Sequence, residues 1–158
     1  MSTPALCVVG SFMMDLIAYT PRRPEPGETI VGTEFIQTPG GKGFNQAIAA
    51  ARAGASTSMV GRVGTDAFGD QFINQLAADQ VNHCGVGREE STGTGVGMPV
   101  VSEDGQNAII VIPRANHCMT PGLVGEQHDL ISGAKVMLLQ LELPMDAVLE
   151  AARIGHEA

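Results

Sequence analysis

Positive charge is scarce in this sequence. Lysine and arginine together number nine against 17 aspartates and glutamates, giving a formal net charge of -8, and they form no run. Nucleic acid or an anionic membrane surface calls for a basic patch, so neither partner is expected. Cysteine is scarce as well. Cys7, Cys84 and Cys118 are odd in number, far apart and outside any CxxC spacing. No disulfide framework or zinc site follows from them, and a reduced, cytoplasmic setting is expected, with the nucleus as the alternative. No apolar run approaches the roughly 18 residues of a membrane span. Ala5 to Gly10 is too short for the core of a signal peptide, lacks preceding basic residues, and soon meets Asp15. The four histidines (His83, His117, His128, His156) show no metal-ligand spacing and no HExxH, so no metal site is expected.

Glycine, by contrast, is abundant at 20 residues, in a chain that is 44% hydrophobic and 16% charged without low complexity. That points to tight turns, or to backbone placed close to a ligand, rather than to disorder. At 158 residues the chain can bury one respectable core.

Leu6-Cys7-Val8-Val9, bounded by Gly10-Ser11, has the continuous apolar character of a strand buried on both faces, as in a parallel sheet. From Ile17 to Gln37, Pro21, Pro24, Pro26, Gly27 and Gly32 punctuate the chain around Thr29-Ile30-Val31, which predicts extended segments and turns. Asn45 to Ala53 is an alanine-rich helix stopped by Gly54, followed by a strand from Ser58 to Val63. Asp66 is a candidate cap for a helix from Ala67 to about Asp79, with Phe68, Phe72, Ile73 and Leu76 on one face. Val96 to Val101 and Ala108 to Ile112 flank Asp104-Gly105, a strong hairpin signal. Thr120-Pro121 starts a capped helix, Val136 to Leu139 reads as another buried strand, and Pro144 opens a helix expected to turn Val148, Leu149 and Ala152 inward. Strands alternating with helices imply an α/β domain with a largely parallel sheet. Because the last helix is not followed by a further strand, the sheet is expected to be incomplete.

The sharpest local feature is Gly40-Gly41-Lys42-Gly43-Phe44-Asn45. A P-loop needs Ser or Thr after its lysine, but Gly43 follows Lys42; a dinucleotide turn needs a glycine where Gln46 stands. Both readings fail. What remains is backbone N–H exposed just before a helix, suited to a hydroxyl-rich or anionic ligand, or a plain loop-to-helix turn.

The run Gly40-Gly41-Lys42-Gly43-x-Asn45-x-Ala47, with Gly54 and Gly64 at their spacings, resembles the N-terminal signature of the ribokinase (PfkB) carbohydrate kinase family. Val8-Val9-Gly10-Ser11 with Asp15, Pro26-Gly27-Glu28-Thr29, Gly64-Thr65-Asp66-Ala67-Phe68-Gly69 and Leu139-Gln140-Leu141-Glu142 resemble further family elements in the same order. The resemblance implies a ribokinase-like, Rossmann-type α/β fold: a mostly parallel sheet with helices on both faces, plus a small β-sheet lid. Residues 1–158 would form its N-terminal part, with the lid from about 17–37 and 96–112. It also implies ATP-dependent phosphorylation of ribose, or of fructose, a nucleoside or a related sugar. The substrate-binding residues it implies are Met13, Asp15, Gly41, Lys42, Asn45 and Glu142. Read singly, Asp15 could instead cap a turn, Asn45 its helix, and Glu142 be a solvated strand end. Two positions depart from the family: Met13 where asparagine is frequent, and Arg114, before Ala115-Asn116, where glycine is usual. The family's catalytic base, anion hole and nucleotide pocket have no counterpart in these residues. ATP, Mg2+ and K+ are implied as cofactors met mostly elsewhere, and a homodimer through the lid as the assembly. The chain alone is expected to be inactive, or to act as a non-catalytic sugar-binding or interaction form.

Overall fold

The computed structural model describes residues 5–158; the first four residues of the expected 1–158 domain lie outside the described residues. Four parallel strands form the main sheet in the order β5-β4-β1-β8. They are β1 (Ala5–Val9), β4 (Ser56–Gly64), β5 (Asn82–Glu89) and β8 (Val136–Leu139). Four more form a second, mixed sheet in the order β3-β2-β6-β7: β2 (Met13–Thr20), β3 (Glu34–Gly40), β6 (Gly95–Ser102) and β7 (Asn107–Ile112). This lid reaches beyond the 17–37 segment expected from sequence. Its strands begin at Met13 and end at Gly40, while Thr29 to Val31 lies in the irregular connection between them.

Helices cover both faces of the main sheet because β1 alternates its side chains between two cores. Val8, with Met59 and Val63 of β4, packs under α1 (Lys42–Arg52) and α2 (Ala67–Ala78). Cys7, Val9 and Val60 face α3 (Pro121–Gly125), α4 (His128–Ser132) and α5 (Met145–Glu157). Burial pushes the Cys7 thiol up to about 11, with Cys84 adding a smaller effect in the same direction, as suits a packing residue. Three rings tie the first core to the lid's root. Phe72 of α2 meets Phe44 of α1 at 4.8 Å and Phe12 at 5.3 Å, both edge to face.

The predicted caps form. Asp66 Oδ1 accepts from Gly69 N–H at 2.9 Å, and Thr120 Oγ1 accepts from Leu123 N–H at 3.3 Å. The Asp104-Gly105 hairpin closes β6 onto β7, with Gly105 at φ 79°. Two readings need correction. Leu149 is 61% exposed; α5 instead buries Ala147, Val148, Ala151 and Ile154, the set spaced for one helix face. Strand β5 was not foreseen, because Asn82, Gly85, Gly87 and Arg88 dilute its apolar pattern. At Arg114 the glycine-type turn persists. The arginine itself adopts φ 47°, and its Nη1 donates to Thr94 C=O at 3.2 Å.

Candidate functional site

The site forms where the lid leaves the main sheet. After β1 the chain turns through Gly10, Ser11 and Phe12 before entering β2. Ser11 is fully buried, and its Oγ donates to Glu142 Oε2 at 2.6 Å. Glu142 follows β8, the strand hydrogen-bonded to the other edge of β1. Its carboxylate also accepts from Lys42 N–H at 3.1 Å and pairs with Lys42 Nζ. Burial works to raise the Glu142 pKa, but the hydrogen bonds from Lys42 and Ser11 outweigh it and hold the carboxyl below its ordinary value. Glu142 is therefore not a solvated strand end. It is an ionised group gripped at the N-terminus of α1, where the free amides favour an anion.

Gly41 makes this approach possible. It sits at φ 94°, and a Cβ there would lie 2.8 Å from Met13 N and 3.0 Å from Ser11 O. The helix starts at Lys42, so Asn45 is inside its first turn rather than at its cap. Its own N–H bonds Gly41 C=O at 2.9 Å, while its side chain is exposed.

Asp15 approaches from the opposite side. It is the third residue of β2, a lid strand, rather than part of a loop at the end of the main sheet. Directly opposite it on β6 stands Gly97, where any Cβ would collide with Asp15 Oδ1. Its Oδ2 lies equally close to Gly40 of β3, so the carboxylate sits between two glycines, and among the described residues no group donates a hydrogen bond to it. Burial, and then the negative charge of Glu142, raise its pKa. A half-buried carboxylate without a donor is unlike a turn cap. It is the kind of perturbed group found at functional sites.

Met13, Asp15, Gly41, Lys42, Asn45 and Glu142 all line one cleft of about 290 Å³, walled on the lid side by Gly97, Ile109 and Val111. That volume lies near the lower end of ligand cavities, roughly 300–1,000 Å³. Glu142, Lys42 and Asn45 on the main-sheet side, with Asp15 among apolar Met13, Ile109 and Val111 on the lid side, suit a small ligand bearing several hydroxyls on a hydrocarbon frame. A larger groove of about 490 Å³, between β3 and α1, shares Asn45 but contains neither Asp15 nor Glu142. Among the described residues no three His, Cys, Asp or Glu side chains converge as a metal site.

Sequence reasoning named Ser11 only as part of a motif and passed over Gly97 altogether. A buried serine after a buried strand was the available sign for the first. The role of Gly97 depends on strand register, which one sequence does not reveal.

Residues 3–158 match the family described as pfkB family carbohydrate kinase. The ribokinase of Bacillus subtilis is 40% identical over 151 residues, covering 96% of this chain and 51% of that protein. The Mus musculus ribokinase is 40% identical over 98% of this chain and 48% of its own length. Among solved structures, Arabidopsis thaliana ribokinase complexed with ribose and ATP superposes with a TM-score of 0.88 at 32% identity, covering 98% of this chain and 51% of that one. The chain spans about half the length of these relatives.

Proposed function

Because the chain belongs to the pfkB family of carbohydrate kinases, we propose that it supplies the sugar-accepting half of an ATP-dependent ribose kinase and transfers no phosphoryl group by itself. The observation that carries this reading is the pair Asp15 and Glu142, facing one small cleft from a lid strand and from the segment after a main-sheet strand. Asp15, ionised and without a donor, accepts hydrogen bonds from two adjacent sugar hydroxyls. Glu142 and Lys42 exchange part of their mutual contact for further hydroxyls. Asn45 donates and accepts, and Gly41 lets the sugar approach the backbone. Met13 offers only apolar contact where an amide would hydrogen-bond.

ATP would supply the transferred phosphoryl group and Mg2+ and K+ would offset negative charge, but no residue described here forms a site for a metal ion. Phosphoryl transfer depends on positioning, electrostatic stabilisation and a base for the acceptor hydroxyl. In this reading those groups come from a polypeptide corresponding to the other half of the relatives, and the residues described here hold the acceptor. A second copy fits against the lid. Phe35, Met98 and Ile110 are 64%, 41% and 62% exposed, and strand pairing puts them on one face of that sheet. No helix is long and apolar enough to cross a membrane among the described residues.

Saturation-transfer NMR with ribose, fructose and adenosine tests the acceptor assignment. Ribose is expected to receive the strongest transfer, and a stronger response from either competitor would replace it as the substrate. Ribose 5-phosphate produced from MgATP by homogeneous 158-residue chain would overturn the claim of inactivity.

A further inference from the structure

Four stretches of chain join the main sheet to the lid. They are Phe12 between β1 and β2, Gly40–Gly41 between β3 and α1, Gly93–Gly95 between β5 and β6, and Pro113 after β7. One side chain touches three of them. Asn116, in the short 3-10 helix Arg114–Cys118, is completely buried. Its Oδ1 accepts from Phe12 N–H at 2.9 Å, and its Nδ2 donates to Phe12 C=O at 2.7 Å and to Pro113 C=O at 3.0 Å. The third contact is with Gly95, where a Cβ would collide with Asn116 Nδ2. The fourth stretch rests on the same pivot, since a Cβ on Gly41 would lie 3.2 Å from the Phe12 carbonyl carbon.

The amide is fully used. An asparagine side chain offers two N–H donors and one carbonyl oxygen, and each has a partner here. No other residue type of this size places one acceptor and two donors in a plane, so both backbone polar groups of Phe12 are held together with the exit from β7. Phe12 is also the point from which both halves of the cleft diverge. Ser11 on one side holds Glu142, and Met13 on the other opens the strand carrying Asp15.

We propose that Asn116 is a positioning residue that fixes the lid on the main sheet and thereby sets Asp15 against Glu142. It touches no ligand and acts through the Phe12 backbone. Its consequence for sugar affinity rests on the function proposed above, whereas its control of the lid does not.

Hydrogen exchange followed by mass spectrometry separates this role from that of an ordinary buried side chain. The variants are Asn116→Ala, Asn116→Asp, which keeps the acceptor but turns an oxygen toward two carbonyls, and Leu76→Ala, a cavity in the core of α2. For both Asn116 variants, exchange in β2, β3, β6 and β7 is expected to rise at least tenfold more than in β1 and β4. Ribose dissociation constants should rise at least tenfold. Leu76→Ala should accelerate β4 and α2 without that lid bias and leave ribose affinity within twofold. Equal acceleration of lid and main sheet, with ribose affinity within twofold, would overturn the proposal. If Asn116→Ala does not fold, Gly95→Ala presses on the same amide from the other side and must show the same lid bias. Should the unmodified chain bind no ribose, the sugar reading fails, and the exchange ratio alone decides the role of Asn116.

Discussion

Replacing Asp15 by asparagine should move stability and ligand affinity in opposite directions. The carboxyl is raised above its ordinary pKa by burial and then by the charge of Glu142. Its ionised form is therefore less favourable in the folded chain than in the unfolded one. That deficit is fully present above the folded pKa and is relieved as pH falls below the unfolded value. Asparagine keeps the shape and removes the charge. Because the cleft is open to solvent, the gain is modest, a small rise in Tm. Binding should suffer far more. A hydrogen bond to a charged group contributes about 1.5–3 kcal/mol, so losing one weakens sugar affinity roughly 10- to 150-fold. Acidification should act similarly on the unmodified chain. Asp15, with its raised pKa, protonates before Glu142, whose pKa is lowered, so ribose affinity falls on the acid side while Asp15→Asn loses most of that pH dependence. Scanning calorimetry and ribose titration at several pH values read both effects. A lower Tm for Asp15→Asn with unchanged affinity would refute the assignment of Asp15 as a ligand group held at a cost to the fold.

Two further expectations concern stability and association. Gln80 follows α2 at φ 58°, its N–H donating to Ala77 C=O at 3.1 Å and Val81 N–H to Leu76 C=O at 2.9 Å, the paired hydrogen bonds of a helix end that favours glycine. Gln80→Gly should raise Tm by about 2–4 °C, from ~1 kcal/mol of relieved strain; a decrease on thermal melting would contradict this. Among the described residues strand β8 pairs only with β1, and Val136 on it is 47% exposed. Such an edge templates pairing with other chains, so Val136→Lys should reduce higher-order species in sedimentation velocity, and an unchanged distribution would show that association runs elsewhere.

The main sheet was legible because β1 and β8 carry continuous apolar runs and β4 holds Met59-Val60 and Val63, and the hairpin because Asp104-Gly105 sits between two apolar segments. Strand β5 escaped because an edge strand tolerates glycine and asparagine, which dilute the pattern. The lid strands run a few residues beyond the approximate 17–37 and 96–112 expected. The chain turns at Gly10–Phe12 and enters the lid at Met13, a stretch that carries none of the prolines and glycines used to mark the lid from Ile17 onward. Leu149 was misassigned because the faces of a short amphipathic helix differ by little when alanines occupy the buried side. In the cleft, the glycine turn pointed to backbone exposed near a ligand, and the family resemblance supplied the partner groups. What no local pattern could supply was the long-range convergence. Ser11 meets Glu142 across 131 residues of sequence, and Asn116 meets Phe12 across 104. A buried polar residue reveals its purpose only when its partners are placed.

The central claim is that this chain holds an intact acceptor site, and isothermal titration of ribose into the unmodified 158-residue chain at neutral pH tests it most directly. Saturable binding with one site per chain, abolished by Asp15→Ala, is expected. Absence of saturable heat at tens of millimolar ribose (weaker than ~4 kcal/mol even by the millimolar standard), or saturation unaffected by Asp15→Ala, would contradict it.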